Sequence, residues 1–293
     1  MPIPNISGAF IHNGYNCSPN VIQTAQGVPY DNTSSGLSAT NVQGAIDEIA
    51  RSRSNNAGSH NSIYRGKSLG TSITAEQYAQ ISAGTFEDMY IGDYWTLQTT
   101  INTTVYSFDY VIAAFNYWNS WTVSSNHIVL CLQQSVLYAK MNDTDSSSGG
   151  YYHSSMFNNN IPLIYSGLQT LFGAHLPSEF NHYDSALTNA SGQVTGITVT
   201  RIPAVLLSET MICGHPVWST SGYEVGLDRT ILPLFAFDPL SATAVNARKS
   251  SHTAYWLRTV AGTSSFSLLQ NDGSILAANA SAEAGIKVAI PII

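Results

Sequence analysis

Oxygen-bearing side chains crowd one short stretch of this sequence. MNDTDSSSGG brings Asn142, Asp143 and Asp145 together ahead of two glycines, and amide and carboxylate oxygens are what Ca²⁺ takes. The stretch has neither the spacing nor the terminal Glu of an EF-hand, and its Gly and Ser neighbours account for it as a turn. The three residues are weak candidate ligands, and the expected metal set is none. The eight histidines, His12, His60, His127, His153, His175, His182, His215 and His252, form no HxH or HExxH pattern. His175 and His182 could meet across a loop, but the histidines are expected to be structural or exposed.

Nucleophilic chemistry is equally poorly served. No GxSxG elbow occurs, and Cys17, Cys131 and Cys213 are far apart, with no CxxC pair. They read as small buried apolar residues of a protein assembled in a reducing cytosol. Cys213 has His215 two residues on, which in a strand would share its face without guaranteeing contact. Hydrolysis of a polysaccharide needs two carboxyl groups about 5 to 9.5 Å apart. Acidic residues are sparse, and Glu179 with Asp184 is the pair that could meet. The expected catalytic set is none, and no cofactor is expected.

Recognition is better supplied than catalysis. Tyr117, Trp118, Tyr151, Tyr152, Trp218 and Tyr223 lie beside Gly, Ser or Asn, as loop residues do, and aromatic rings offer amphipathic contact area at low entropic cost. These six are the candidate ligand-binding residues. Tyr255 and Trp256 stand in an apolar run and are expected in the core, with Arg258 held by a buried acid or a carbonyl.

The composition constrains partners. Only 10% of residues are charged, against about 25% in ordinary soluble domains, so uncharged hydroxyls and amides must solvate most of the surface. Net charge is −7, and no run of Lys or Arg could neutralise successive phosphates, so nucleic acid is not an expected partner. No stretch approaches 18 apolar residues and the start, MPIPNISGAF, has no basic segment before an apolar one; neither membrane insertion nor signal-directed secretion is expected.

The elements that must hold these residues fall into three parts. Residues 1–30 carry several Pro, Gly and Asn and no sustained period, which predicts an extended segment ordered by a partner. In 31–56, Thr40 or Asn41 can cap a helix in which Val42, Ile46 and Ile49 follow heptad spacing. A helix this short is marginal alone, so the strip is expected to be buried by sister helices in a homotrimer. Residues 57–293 form the head. TAEQYAQISAG predicts a helix with a Thr74–Gln77 capping box and a stop at Gly84, and a second helix begins near Asn160 and ends at Gly173. Strands are expected over 105–115, 127–138, 192–202, 230–237, 254–260, 265–269, 274–278 and 286–292, with a hairpin turn at Asp272–Gly273. The implied fold is α+β, dominated by antiparallel strands.

The segment YDNTSSGLSATNVQGAIDEI resembles a sequence found in tail-fibre, collar and other appendage proteins of bacteriophages, just before a trimeric distal domain. The blocks IYRGKSLGTSITAEQYAQISAGTFEDMYIGDYW, MNDTDSSSGGYYHSSMF, YWLRTVAGTSSFSLLQNDGSI and GIKVAIPII resemble phage and prophage proteins of Gram-positive gut bacteria, whose heads are of the C-type-lectin-like, sulfatase-modifying-factor-like kind. The resemblance implies a virion protein with an N-terminal anchor on another virion protein, a short trimeric coiled-coil neck and a C-type-lectin-like head. Its function would be that of a tail or baseplate fibre or receptor-binding protein contacting a host cell-surface glycan or protein, the alternative being a capsid- or collar-attached head fibre or decoration protein. The chain has no EPN, QPD or WND element for a lectin calcium site, and GIKVAIPII replaces the Arg-rich, Phe-Cys-containing finish of those relatives.

Overall fold

A computed structural model describes residues 10–12, 15–17, 24–54, 57–118, 120–188, 194–200, 202–218, 230–237 and 253–293, which divide into two units, Met1–Arg53 and Ser54–Ile293. In the first, β1 (Phe10–His12) and β2 (Tyr15–Cys17) form an antiparallel hairpin with His12 opposite Tyr15. Further on, helix α1 (Val42–Ser54) starts where Asn41 Oδ1 accepts the Gly44 N–H at 2.7 Å, which selects Asn41 as the capping residue. The Glu48 carboxylate reaches back to accept the N–H groups of Ser38 and Ala39, at 2.9 and 3.0 Å. Tyr30 N–H donates to Thr40 O and Val42 N–H to Val28 O, both at 3.0 Å. These two bonds tie residues 28 and 30 to the start of the helix.

The second unit contains α2 (Ala57–His60), α3 (Ala75–Ala83), β3 (Tyr94–Ile101), β4 (Thr104–Phe115), β5 (Ile128–Leu132), β6 (Tyr138–Lys140), α4 (Ile161–Phe172), β7 (His182–Thr188), β8 (Val194–Thr200) and β9 (Val205–Leu206). It continues with α5 (Glu209–Cys213), α6 (Pro233–Ala236), β10 (Tyr255–Val260), β11 (Ser265–Leu269), β12 (Ile275–Asn279), β13 (Glu283–Gly285) and β14 (Val288–Ile292). One five-stranded sheet runs β3-β4-β5-β14-β9 and is antiparallel throughout. The other runs β12-β11-β10-β13-β6, with only the β10–β13 contact parallel. β7 and β8 pair with each other. The fold is α+β with mostly antiparallel strands, as the apolar patterning implies.

Local chemistry explains the elements that matter most. Thr74 and Gln77 exchange both capping-box hydrogen bonds at the start of α3, and Gly84 closes it at φ +75°, a conformation glycine adopts without a Cβ penalty. β3 and β4 join through Asn102 and Thr103, both at positive φ, the two-residue turn whose twist matches a hairpin. β5 and β10 are buried at every position, which is why IVLCL and YWLRTV carry almost no polar alternation. Trp95, Tyr110, Phe115, Phe180, Phe235, Trp256 and Phe266 lie in the core. α4 crosses β3 at Gly167, where a Cβ would stand 2.5 Å from the Thr100 carbonyl oxygen.

Four local expectations are corrected. Residues 230–237 do not form a strand: Pro233 sits in the first turn of the short helix α6, a position where its missing N–H is harmless. The strand expected over 127–138 is split into β5 and β6, which belong to different sheets. Asn160 caps nothing, because the chain already coils as a π-turn over Met156–Asn160 and runs straight into α4. Cys213 ends a helix, not a strand, and Gly214 in the left-handed region turns the chain before His215.

Candidate functional site

The strip proposed for self-association lies on α1. Ala45 is buried, whereas Ile46 is 53% and Ile49 43% exposed, and Val42 is half-buried. Ile49, four residues on from Ala45, lies close to the same face of the helix, and Ile46 stands about 100° round from Ala45.

The six aromatic candidates do not come together. Tyr151, Tyr152 and Trp118 are 0%, 5% and 2% exposed. Tyr151 and Tyr152 pack on each other and on Phe157 with ring centroids 4.6 to 5.3 Å apart, and Trp118 lies edge-on to Phe180 at 5.1 Å. Gly149 and Gly150, at φ +79° and +69°, reverse the chain so that the rings after them turn into the core. Stacking on a ligand needs an open ring face, and these three residues have none. Tyr117 is half-buried, its hydroxyl donating to Thr230 O at 2.6 Å. Trp218 is exposed, with its indole N–H donating to Ile275 O at 3.0 Å, and Tyr223 lies outside the described residues.

The acidic loop is engaged in its own architecture. Asp145 accepts from Ser281 N–H at 3.0 Å, from Ser281 Oγ at 2.6 Å and from Asn279 Nδ2 at 3.0 Å, and these donors hold its carboxyl below the usual range. Asn142 accepts from Ser155 N–H and donates to Ser146 O, while Asp143 is exposed. Among the described residues no group of three His, Cys, Asp or Glu is placed to hold a metal ion. Glu179 is exposed, and Asp184 lies in β7, where its side chain is outside the described residues. So is the side chain of the neighbouring His182, while His175 stacks on Tyr78.

Buried polar groups mark the interior. The Glu209 carboxylate accepts the N–H groups of Val217 and Trp218 and the Ser267 hydroxyl, anchoring the chain that leads to Trp218. Arg258 donates to Leu206 O at 2.9 Å, the carbonyl partner expected for it. Lys287 is buried with its ammonium 5.0 Å from the Tyr255 ring centroid; burial pulls it down to about 8 and pushes the Cys131 thiol up to about 12.

A feature that inspection of aromatics beside Gly and Ser passes over is a pair of cavities that share Tyr78 as a wall. One, of 680 Å³, lies between Ser72, Thr96, Gln98, Ser107 and Leu171; the other, of 550 Å³, lies along Ala75, Ala79 and Ser82 of α3. Ile73 and Tyr78 line both, so the two adjoin. The Tyr78 ring is fixed by face-to-face stacking on His175, with centroids 3.5 Å apart and planes within 6°. His175 in turn holds the end of β14, its carbonyl accepting Ile293 N–H at 2.9 Å. Burial raises the Tyr78 hydroxyl above its ordinary value, so the ring stays a neutral phenol at neutral pH.

No protein-family model, curated protein or solved structure matches this chain.

Proposed function

We propose that this chain is a structural protein of a bacteriophage virion, a homotrimeric tail or baseplate fibre or receptor-binding protein that recognises the host cell surface. In this reading residues 1–30 bind another virion protein, the helix in 31–56 is a short trimeric coiled-coil neck, and 57–293 is a C-type-lectin-like head with no chemistry of its own.

The observation that carries the reading is the exposed pair Ile46 and Ile49 on α1, set within the phage-appendage-like segment YDNTSSGLSATNVQGAIDEI. Burying an isoleucine is worth roughly 1.5 to 3 kcal/mol, and a helix of 13 residues gains little stability from its own hydrogen bonds. Sister helices would meet both needs. The head adds a surface of neutral polar groups, which are cheaper to desolvate against a partner than charges are.

The test is to image particles purified from cells that make the chain, with a gold-labelled antibody against it. Label at a tail tip or baseplate is the expected result. Label on capsid or collar would assign the chain to the head fibres or decoration proteins, and particles without label would overturn the virion reading.

A further inference from the structure

We propose that the adjoining cavities beside Tyr78 form one cleft for an uncharged oligosaccharide; this rests on the host-recognition reading and names the ligand class of that recognition. Both volumes, 680 and 550 Å³, fall within the roughly 300 to 1,000 Å³ of small-molecule sites. Joined at Ile73 and Tyr78 they suit a short linear chain of rings better than a single compact molecule.

The lining selects the chemistry. No Asp, Glu, Lys or Arg lines either cavity, and the one imidazole in the lining, His175, is stacked face to face on Tyr78, so an ionic ligand would lose its hydration without a carboxylate, ammonium or guanidinium to replace it. Anions are further disfavoured by Asp109, whose carboxylate accepts the Thr96 hydroxyl at 2.6 Å just behind the rim. The walls alternate apolar surface from Ile73, Leu171 and Tyr78 with the hydroxyls of Ser72 and Ser107 and the amide of Gln98. A sugar ring offers the matching pair of surfaces, a C–H face for the apolar walls and a belt of hydroxyls for the polar ones.

The edge of β3 adds main-chain groups to this rim and limits what else fits. Tyr94 and Thr96 donate their N–H groups outward, to Lys67 O and Gly70 O at 3.0 Å each. With a period of two, Gln98 presents its N–H and C=O to the same side, where among the described residues nothing pairs with it. Two residues on, the edge is closed again by Gly167 of α4 against Thr100. An added peptide strand needs a run of open edge, and here one residue's groups are open, enough for hydroxyls and too few for a strand.

The experiment applies the full-length protein, fluorescently labelled, to an array of neutral, uronic-acid-bearing and phosphate-bearing oligosaccharides. Retention of a neutral oligosaccharide is expected. Gln98→Trp, which fills the larger cavity from an exposed strand position, should weaken it roughly tenfold or more at unchanged melting temperature; Tyr78→Ala provides a second variant from the shared wall. Retention confined to charged glycans, retention unaffected by Gln98→Trp, or no retention of any glycan would overturn the cleft. An empty array with gold-labelled particles removes the cleft alone, whereas glycan retention with unlabelled particles removes the virion reading.

Discussion

His127 shows how a single buried side chain sets a solution property. Its Nε2 accepts the Trp118 N–H at 3.1 Å and its Nδ1 lies 2.9 Å from Ser125 O, an arrangement that fits a neutral ring with the proton on Nδ1. Burial pushes its pKa down from 6.5 to about 4. Between those values the unfolded chain binds a proton that the native one refuses. Stability is therefore complete above pH 6.5 and declines as pH falls toward 4, by up to about 3 kcal/mol from this group. Urea melts from pH 7 to 4.5 should show a shallower decline for His127→Gln than for the parent; parallel declines would mean that the imidazole does not drive the loss. Legibility at this scale follows sequence distance. The Thr74–Gln77 box and the Asp272–Gly273 turn were readable because donor and acceptor sit within four residues, and the Ser274 N–H bond to Asp272 at 2.8 Å completes the latter. Tyr151 and Tyr152 were not, since a Gly-Gly pair signals a reversal of the chain without saying toward which side.

At the scale of elements, the contact of α4 with β3 is the sharpest test of the packing. Alanine favours a helix interior over glycine by about 1 kcal/mol, so Gly167→Ala would stabilise an exposed helix. Here the added methyl meets a backbone carbonyl at 2.5 Å, and overpacking of that kind costs about 1 to 3 kcal/mol. The expected outcome is a net loss of up to roughly 2 kcal/mol, read as a lower denaturant midpoint at unchanged slope; a gain would show that α4 does not press on β3. β3 itself was legible in principle, because Trp95, Leu97, Thr99 and Ile101 are buried in alternation with Tyr94, Thr96, Gln98 and Thr100. A search for apolar runs passes over it, since half of it is Thr and Gln, and with it goes the rim of the candidate cleft. The strand expected at 230–237 failed for the opposite reason, an apolar run counted as a strand although Pro233 already favoured the start of a helix.

For the whole molecule, the α+β class and the antiparallel bias could be read from the sequence, but the pairing order could not. Strands that neighbour one another in the sheets come from distant places in the chain, and nothing local records that β14 belongs between β5 and β9. The self-association reading is checked by light scattering at micromolar concentration. The parent should show three times the chain mass, and Ile46→Asp combined with Ile49→Asp should show one, with the circular dichroism of the β-rich part retained; a parent of single-chain mass would remove the neck. The place of β14 also sets an order in time. Residues 128–132 and 205–206 lack their shared neighbour until residues 288–292 have been synthesised, and pairings this remote form slowly. The helix at 42–54 leaves the ribosome long before. On the proposed reading, chains associating through it would meet as nascent neighbours on one messenger while their sheets are still open, and choice of partners would precede closure of the fold.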